Sequence, residues 1–215
     1  MKNPRIDRNT RVIVQGMTGR AGRMHTRLMR AYGTNIVGGV SPKSDVKDVD
    51  GVPVFANCSD AVRATQATAS VLFVGAEQLL GAIEDAVAAG ITLIVTPTEG
   101  MPAHDAIRAR RLTQQANVTW IGASTPGMAV AGQAKLGFLP EAALIPGPLG
   151  IMSKSGTLSY ESGYRLAQRG VGTSIWIGVG GDPVKGTRFA ELVPFYAQDR
   201  SEEHTSELQS RLHLV

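Results

Sequence analysis

"VIVQGMTGRAG", residues 12–22, decides the fold. An apolar run ends at Gly16, glycines recur at positions 19 and 22, and a helical pattern follows. A strand that turns through glycines into a helix is the opening βα unit of a parallel sheet. Backbone amides and the helix dipole converge there, outside the carboxyl end of the strand, and favour a phosphate. Glycine allows the tight turn and a close approach of backbone to ligand. The spacing is G-x-x-G-x-x-G, whereas the dinucleotide fingerprint is G-x-G-x-x-G. Taken alone, the loop is therefore compatible with a dinucleotide, another phosphate-bearing cofactor or a purely structural turn.

The same alternation continues downstream. Strands are expected at 11–15, 35–40, 52–55, 70–75, 91–95 and 118–121, and helices at 20–32, 59–65, 77–89 and 103–116. "VLFVG" (71–75) and "LIVTP" (93–97) are apolar on both faces, as strands covered by helices on both sides must be. The order predicts an α/β fold, a Rossmann-like doubly wound parallel sheet over residues 1–124. Scattered Gly and Pro with little periodicity mark 125–147 as a crossing linker. A second βα pattern then starts with "LGIMSKSG", helical "TLSYESGYRLAQRG" and strand "TSIWIGVGGD". Residues 148–199 are too few to complete a second sheet, so this unit is expected to be unfinished and frayed.

Composition narrows the function. The formal charge is +4, but the arginines are spread from Arg5 to Arg211 and no basic run is interleaved with aromatics. Nucleic acid is therefore not an expected partner, whereas an anionic small ligand is. Cys58 is the only cysteine, which excludes a disulfide framework or a cysteine metal cluster. No apolar run reaches the length of a membrane span, and "MKNPRIDRNTRVIVQG" lacks the apolar core of a secretory signal. A cytoplasmic protein without membrane or metal is the expectation.

The second strand ends "VGGVSPKSD" (37–45), with Ser41, Lys43 and Ser44 where an NAD site places an acid. Lys43 suits an additional phosphate, that of NADP or the 3′-phosphate of coenzyme A; otherwise it is an ordinary solvated lysine. In "TPTEG" (96–100), Glu99 is either a ligand contact or an acid favoured near a helix start. In "SKSGT" (153–157), Ser155, Gly156 and Thr157 present amides and hydroxyls to an anion beside Lys154, or Ser155 simply caps the helix.

Together, "VIVQGMTGRAG", "AYGTNIVGGVSP", "GVPVF", "TEGMP", "KLGFLP", "SKSGTLSYE" and "GVGGDPVKGT" resemble, in order and spacing, the succinyl-CoA synthetase (succinate–CoA ligase) α-subunit family and its acid–CoA ligase relatives. The resemblance covers roughly residues 5–199. It implies a CoA-binding Rossmann-like domain followed by a flavodoxin-like domain, with the glycine loop a CoA site. Carried over, Thr18, Gly19, Arg20, Ala21 and Gly22 contact CoA, as do Pro97, Thr98 and Glu99, with Lys43 nearby. The "SKSGTLSYE" helix start, with Ser153, Ser155, Gly156 and Thr157, matches the helix that stabilises a phosphorylated histidine, and Tyr160 falls at the acid-substrate position. In such enzymes ATP or GTP, held with Mg on a β subunit, phosphorylates the histidine. The phosphoryl group then activates a small carboxylic acid for attack by the CoA thiol.

Three departures accompany the resemblance. The family lysine after the second strand aligns with Ser44, so that Lys43 sits one place early, and the family's "GPNCPG" is "GASTPG" at 122–127. None of His25, His104, His204 and His213 has the family's "GHAG" context, so no catalytic residue is assigned. "RSEEHTSELQS" (200–210) resembles the in-frame translation of a sequencing adapter, and 200–215 is expected to be a non-native tail on a truncated, inactive chain. An NADP-dependent oxidoreductase, from the loop and Lys43 alone, and a non-catalytic CoA-binding module are the alternatives.

Overall fold

The computed structural model describes residues 4–42 and 44–198, together with the strand backbone of 206 and 207. The first half builds a seven-stranded sheet: β1 (Val12–Gln15), β2 (Ile36–Val40), β3 (Asp48–Val49), β4 (Val52–Phe55), β5 (Ala69–Leu72), β6 (Leu93–Thr96) and β7 (Thr119–Gly122). Their spatial order is β3-β4-β2-β1-β5-β6-β7, all parallel except for the antiparallel pairing of β3 with β4. The chain moves outward from β1 through β2 to β4, then returns to the other side of β1 to lay down β5. The strand order thus reverses between β1 and β5, where open α/β sheets form their ligand crevice.

This reversal also distributes the helices. Helix α1 (Arg20–Ala31) buries Met29 on one face of the sheet with Val12, Val14, Val71 and Val95. Helices α2 (Cys58–Thr65), α3 (Leu79–Ala88) and α4 (Ala103–Gln115) bury Ala61, Ile83, Ala106 and Ala109 on the other, against Ile13, Leu72 and Ile94. A 3-10 turn at Ala76–Gln78 precedes α3.

The expected linker at 125–147 is a correction. It contains strands β8 (Gly127–Val130) and β9 (Ala134–Gly137), which pair antiparallel as a hairpin. β8 pairs in turn with β11 (Thr173–Gly178), which runs parallel to β10 (Pro146–Ser153). The short strand β12 (Ser206–Glu207) lies on the far side of β10; the rest of the 200–215 tail falls outside the described residues. The glycines that suggested a loop are close-approach positions. Gly127 has φ +104°, and a Cβ there would overlap the Leu136 carbonyl oxygen; one on Gly137 would come within 2.8 Å of the Pro126 carbonyl oxygen.

The second unit is not frayed over its described residues, a further correction. One face of its sheet packs Ala129, Ile151 and Trp176 under α5 (Gly156–Gln168) and the 3-10 turn at Glu141–Ala143. The other places Met128, Leu136, Ile175 and Ile177 in one continuous core with the first sheet, α1 and α6 (Phe189–Gln198). The N-terminal domain thus replaces structure that a second unit standing alone would lack. Thr34 and Lys135 reinforce the junction: the Thr34 hydroxyl donates to the Lys135 carbonyl oxygen (2.8 Å) and accepts its N–H (3.0 Å).

Candidate functional site

The glycine loop leaves β1 at the point of strand reversal. Gly16 takes φ +74°, donates its N–H to the Val40 carbonyl (2.8 Å), and has no room for a side chain against the Phe73 carbonyl. The Gly19 N–H closes the turn on the Gly16 carbonyl (3.1 Å), and α1 starts at Arg20 with no side-chain cap and no acid in its first turn. The first amides of α1 have no carbonyl partner inside the helix, and the positive end of the dipole is not neutralised. Gly22 presses on the loop from behind: a Cβ there would overlap the Gly16 carbonyl oxygen and lie 2.8 Å from Met17 Cα.

Two side chains fasten the loop. The Thr18 hydroxyl donates to Ser41 Oγ (3.0 Å), tying the loop to the end of β2, and Arg23 Nε donates to the Thr18 carbonyl (3.0 Å). Beside them opens a cleft of about 830 Å³, bounded by Gln15, Thr18, Ser41 and Ser44 on one side and by Gly81 and Ala82 of α3 on the other. Asp85 also borders it, but its carboxylate is engaged by the Cys58 N–H at the start of α2 (2.9 Å). Lys43 lies outside the described residues.

The next crest loop follows β6. Pro97 is buried, and the Thr98 hydroxyl donates to the Val74 carbonyl (2.8 Å). Glu99 is exposed, and α4 starts only at Ala103 with Asp105 as its first-turn acid, so Glu99 is not the helix-start acid. Behind it, Asp182 accepts the N–H groups of Gly100 (3.3 Å) and Met101 (3.1 Å), binding the loop after β11 to this crest. Further links are Ser124 N–H to the Thr98 carbonyl (2.8 Å) and Gly181 N–H to the Ser124 carbonyl (2.9 Å).

The third loop opens α5. Ser155 caps the helix through the Leu158 N–H (3.4 Å), and no acid stands in the first turn. Gly156 is half-buried and Thr157 exposed, leaving their amides at an open helix start. Ser153 sits beneath, 2% exposed, its hydroxyl accepting the Trp176 indole N–H (3.5 Å). Burial pushes the Tyr160 phenol up to about 12, and its oxygen lies 3.6 Å from where a Gly156 Cβ would stand. The phenol therefore stays protonated and can donate a hydrogen bond at the mouth of this helix.

A CoA binding domain model matches residues 7–100, the glycine loop, cleft and β6 crest together. The chain is 42% identical over 195 residues to the succinate–CoA ligase [ADP-forming] subunit alpha 2 of Archaeoglobus fulgidus, covering 91% of this chain and 68% of the relative. The chain belongs to the succinate–CoA ligase α-subunit family. The malate–CoA ligase subunit alpha of Methylorubrum extorquens is 39% identical over 202 residues, 92% of this chain and 68% of that one. The chain spans about two thirds of the length of the curated relatives it matches. Among solved structures, a Methanosaeta concilii ATP citrate lyase (D541A mutant) in complex with (3S)-citryl-CoA aligns with TM-score 0.80 at 20% identity, over 91% of this chain and 35% of that one. That similarity establishes the fold alone.

Within this family fold, Thr18 to Gly22 share one turn with the cleft beside it. Pro97 to Glu99 stand two strands away on the same crest, and Ser155 to Tyr160 belong to the second sheet. Ser41 and Asp182 were not assigned from sequence as site residues. Ser41 stood only where an NAD site would place an acid. Asp182 had a weaker signal, an acid in a glycine-rich strand exit of the kind that ties backbone amides. Among the described residues no His/Cys/Asp/Glu cluster is arranged to hold a metal, and no helix is long and apolar enough to cross a membrane.

Proposed function

We propose that this chain is the CoA-binding part of the α subunit of an acid–CoA ligase, a subunit that with a β subunit forms acyl-CoA in the cytoplasm through a histidine carrier in its full-length form, so that the chain as it stands binds CoA and does not turn over. One observation carries the proposal: the cradle at 16–22. Its backbone admits no Cβ at Gly16 or Gly22, its helix amides face outward with no acid beside them, and the 830 Å³ cleft adjoins it. Such a cradle fits a diphosphate, which needs close backbone donors more than side chains. Thr18, Gly19, Arg20, Ala21 and Gly22 hold the diphosphate, Lys43 takes the 3′-phosphate, and Pro97, Thr98 and Glu99 flank the ligand on the neighbouring crest.

The open start of α5 has the second role. A carboxylate is a poor electrophile until one oxygen leaves as phosphate, and a helix N-terminus stabilises the charge of a phosphoryl group in transit. Ser155, Gly156 and Thr157 supply that environment, and Tyr160 donates to the acid. Ser153 supports them from below. The relatives named for succinate and malate support a small carboxylic acid as substrate. The β subunit supplies ATP or GTP with its Mg.

Calorimetric titration of the purified chain is expected to show binding of CoA and none of NADPH. Binding of NADPH without CoA would overturn the assignment in favour of an oxidoreductase. A second expectation concerns the phosphoryl carrier. His104 is exposed at the start of α4, and His25 is packed against the Phe73 and Phe138 rings, so neither is placed as a carrier. Incubation with labelled ATP and a β subunit should leave no acid-labile label on His25 or His104; label on either would refute the placement.

A further inference from the structure

A cavity of about 480 Å³ opens at the opposite end of the strands from the crest. It lies between the segment before β1, the first residues of β10 and β11, and α6. β10 starts at Pro146 beside the cavity and ends at Ser153 under α5, roughly 20 Å away along the strand. Ile6, Val130, Ile175 and Phe195 form apolar walls. Gly147 gives β10 no side chain here, and the pairing of β10 with β11 slips between Pro146 and Leu149, so the sheet recedes beside Thr173. Thr173 stands on the same face of β11 as Ile175 and is 1% exposed, yet its hydroxyl has no hydrogen-bond partner among the described residues. Ser174, next along and also bordering the cavity, carries a second such hydroxyl. Buried hydroxyls are ordinarily paired, so these two call for a group from outside the chain. At the mouth Arg5 is exposed, its guanidinium 5.9 Å from the centroid of the Phe195 ring. Asp7 also borders the mouth, but one of its carboxylate oxygens closes its own turn, accepting the Asn9 N–H (2.8 Å) and the Thr10 hydroxyl (3.0 Å).

A bare oxyanion would leave the apolar walls unfilled, and a hydrocarbon would leave the hydroxyls buried without partners. One guanidinium beside the Asp7 carboxylate balances a single negative charge, which suits a carboxylate better than a phosphate monoester. We propose that this cavity is a second ligand site, for a small organic carboxylate with an apolar or aromatic body and a polar group at its buried end. The body lies against Ile6 and Phe195, the buried end shares a hydrogen bond with Thr173, and Arg5 holds the carboxylate at the mouth. The site shares no residue with the glycine loop, the β6 crest or the start of α5, so it stands independently of the CoA assignment. An occupant touches the segment before β1, the second sheet and α6 together, and therefore stabilises the folded chain.

Ligand-observed NMR titration of the full chain tests this with three probes. They are 4-hydroxyphenylacetate, phenylacetate, which lacks the buried polar end, and 4-hydroxyphenylacetamide, which lacks the charge. The first should bind with a Kd of about 1–10 mM, as a ligand of about eleven heavy atoms does, and the other two about threefold or more weakly. Arg5→Gln should lower the affinity for 4-hydroxyphenylacetate to that of the amide and leave the amide unchanged. Thr173→Val keeps the shape, and should lower it to that of phenylacetate without lowering the melting temperature. Arg5 is exposed, so its arm of the test stands even if Thr173→Val loses stability. Saturating CoA should not displace the probe. Displacement by CoA would put the probe on the crest, and equal affinity for all three probes would make the contact unselective. Failure of all three to bind would leave the hydroxyls to water alone. Each of these results overturns the proposal.

Discussion

Gly22→Ala is expected to abolish measurable CoA binding while leaving a folded, less stable chain. The added methyl meets backbone on two sides, the Gly16 carbonyl oxygen and Met17 Cα, and neither can rotate away as a side chain would. The first turn of α1 must retreat from the loop, at about 1–3 kcal/mol of overpacking. Retreat also withdraws the amides that serve the diphosphate, so affinity should fall by about 100-fold or more, equivalent to about 3 kcal/mol. Gly19→Ala is the matched control. Its backbone is extended at φ −73° and ψ 163°, and a Cβ there comes no closer than 3.3 Å to the Gly16 carbonyl. It should fold normally and bind CoA within a few-fold of wild type. Calorimetry and thermal melting of both variants test this; wild-type affinity in Gly22→Ala would mean that the loop is not the phosphate cradle.

That contrast shows what could be read from the sequence. The triplet of glycines announced a backbone-lined turn, and the structure gives Gly16 and Gly22 a steric reason to be glycine while leaving Gly19 freer. Buried parallel strands were legible because they are continuous apolar runs: the strands expected at 11–15 and 91–95 appear as Val12–Gln15 and Leu93–Thr96. The hairpin β8–β9 was not legible, since its two short strands are half Gly and Ala, the composition of a loop. Helix α6 was hidden for a related reason: Pro194 stands inside it, where proline ordinarily argues against a helix.

The candidate site divides along the same line. Main-chain donors at helix starts leave a glycine or serine signature, so the loops at 16–22 and 153–157 were visible. Partners that act across the sequence leave a weaker one or none. Ser41 meets Thr18 from 23 residues away, and Asp182 meets Gly100 from 82. The cavity beside Thr173 draws on the segment before β1, the second sheet and α6, which only tertiary packing unites.

Trp120→Ala should be the most destabilising single change on the crest, and it should also impair ligand binding without touching the ligand. Trp120 is 1% exposed on β7. Its indole N–H donates to Thr96 Oγ1 (2.9 Å) at the root of the Pro97–Glu99 loop, and its carbonyl accepts the Thr187 hydroxyl (2.7 Å). Gly186 lies flat on the ring, where a Cβ would stand 2.5 Å from the indole. One side chain thus supports both the β6 crest and the loop after β11 that clamps it through Asp182. Truncation removes about 3–5 kcal/mol, which for a chain of this size lowers the melting temperature by roughly 6–20 °C. Trp120→Phe keeps most of the packing, forfeits the hydrogen bond and leaves Thr96 short of a partner, at about 1–3 kcal/mol. The order expected in melting is wild type, then Trp120→Phe, then Trp120→Ala, and CoA affinity should follow it because the loop carrying Glu99 loosens in step. If Trp120→Ala melts within about 1 kcal/mol of wild type, the two loops are held by their backbone links alone, and the indole is merely enclosed between them.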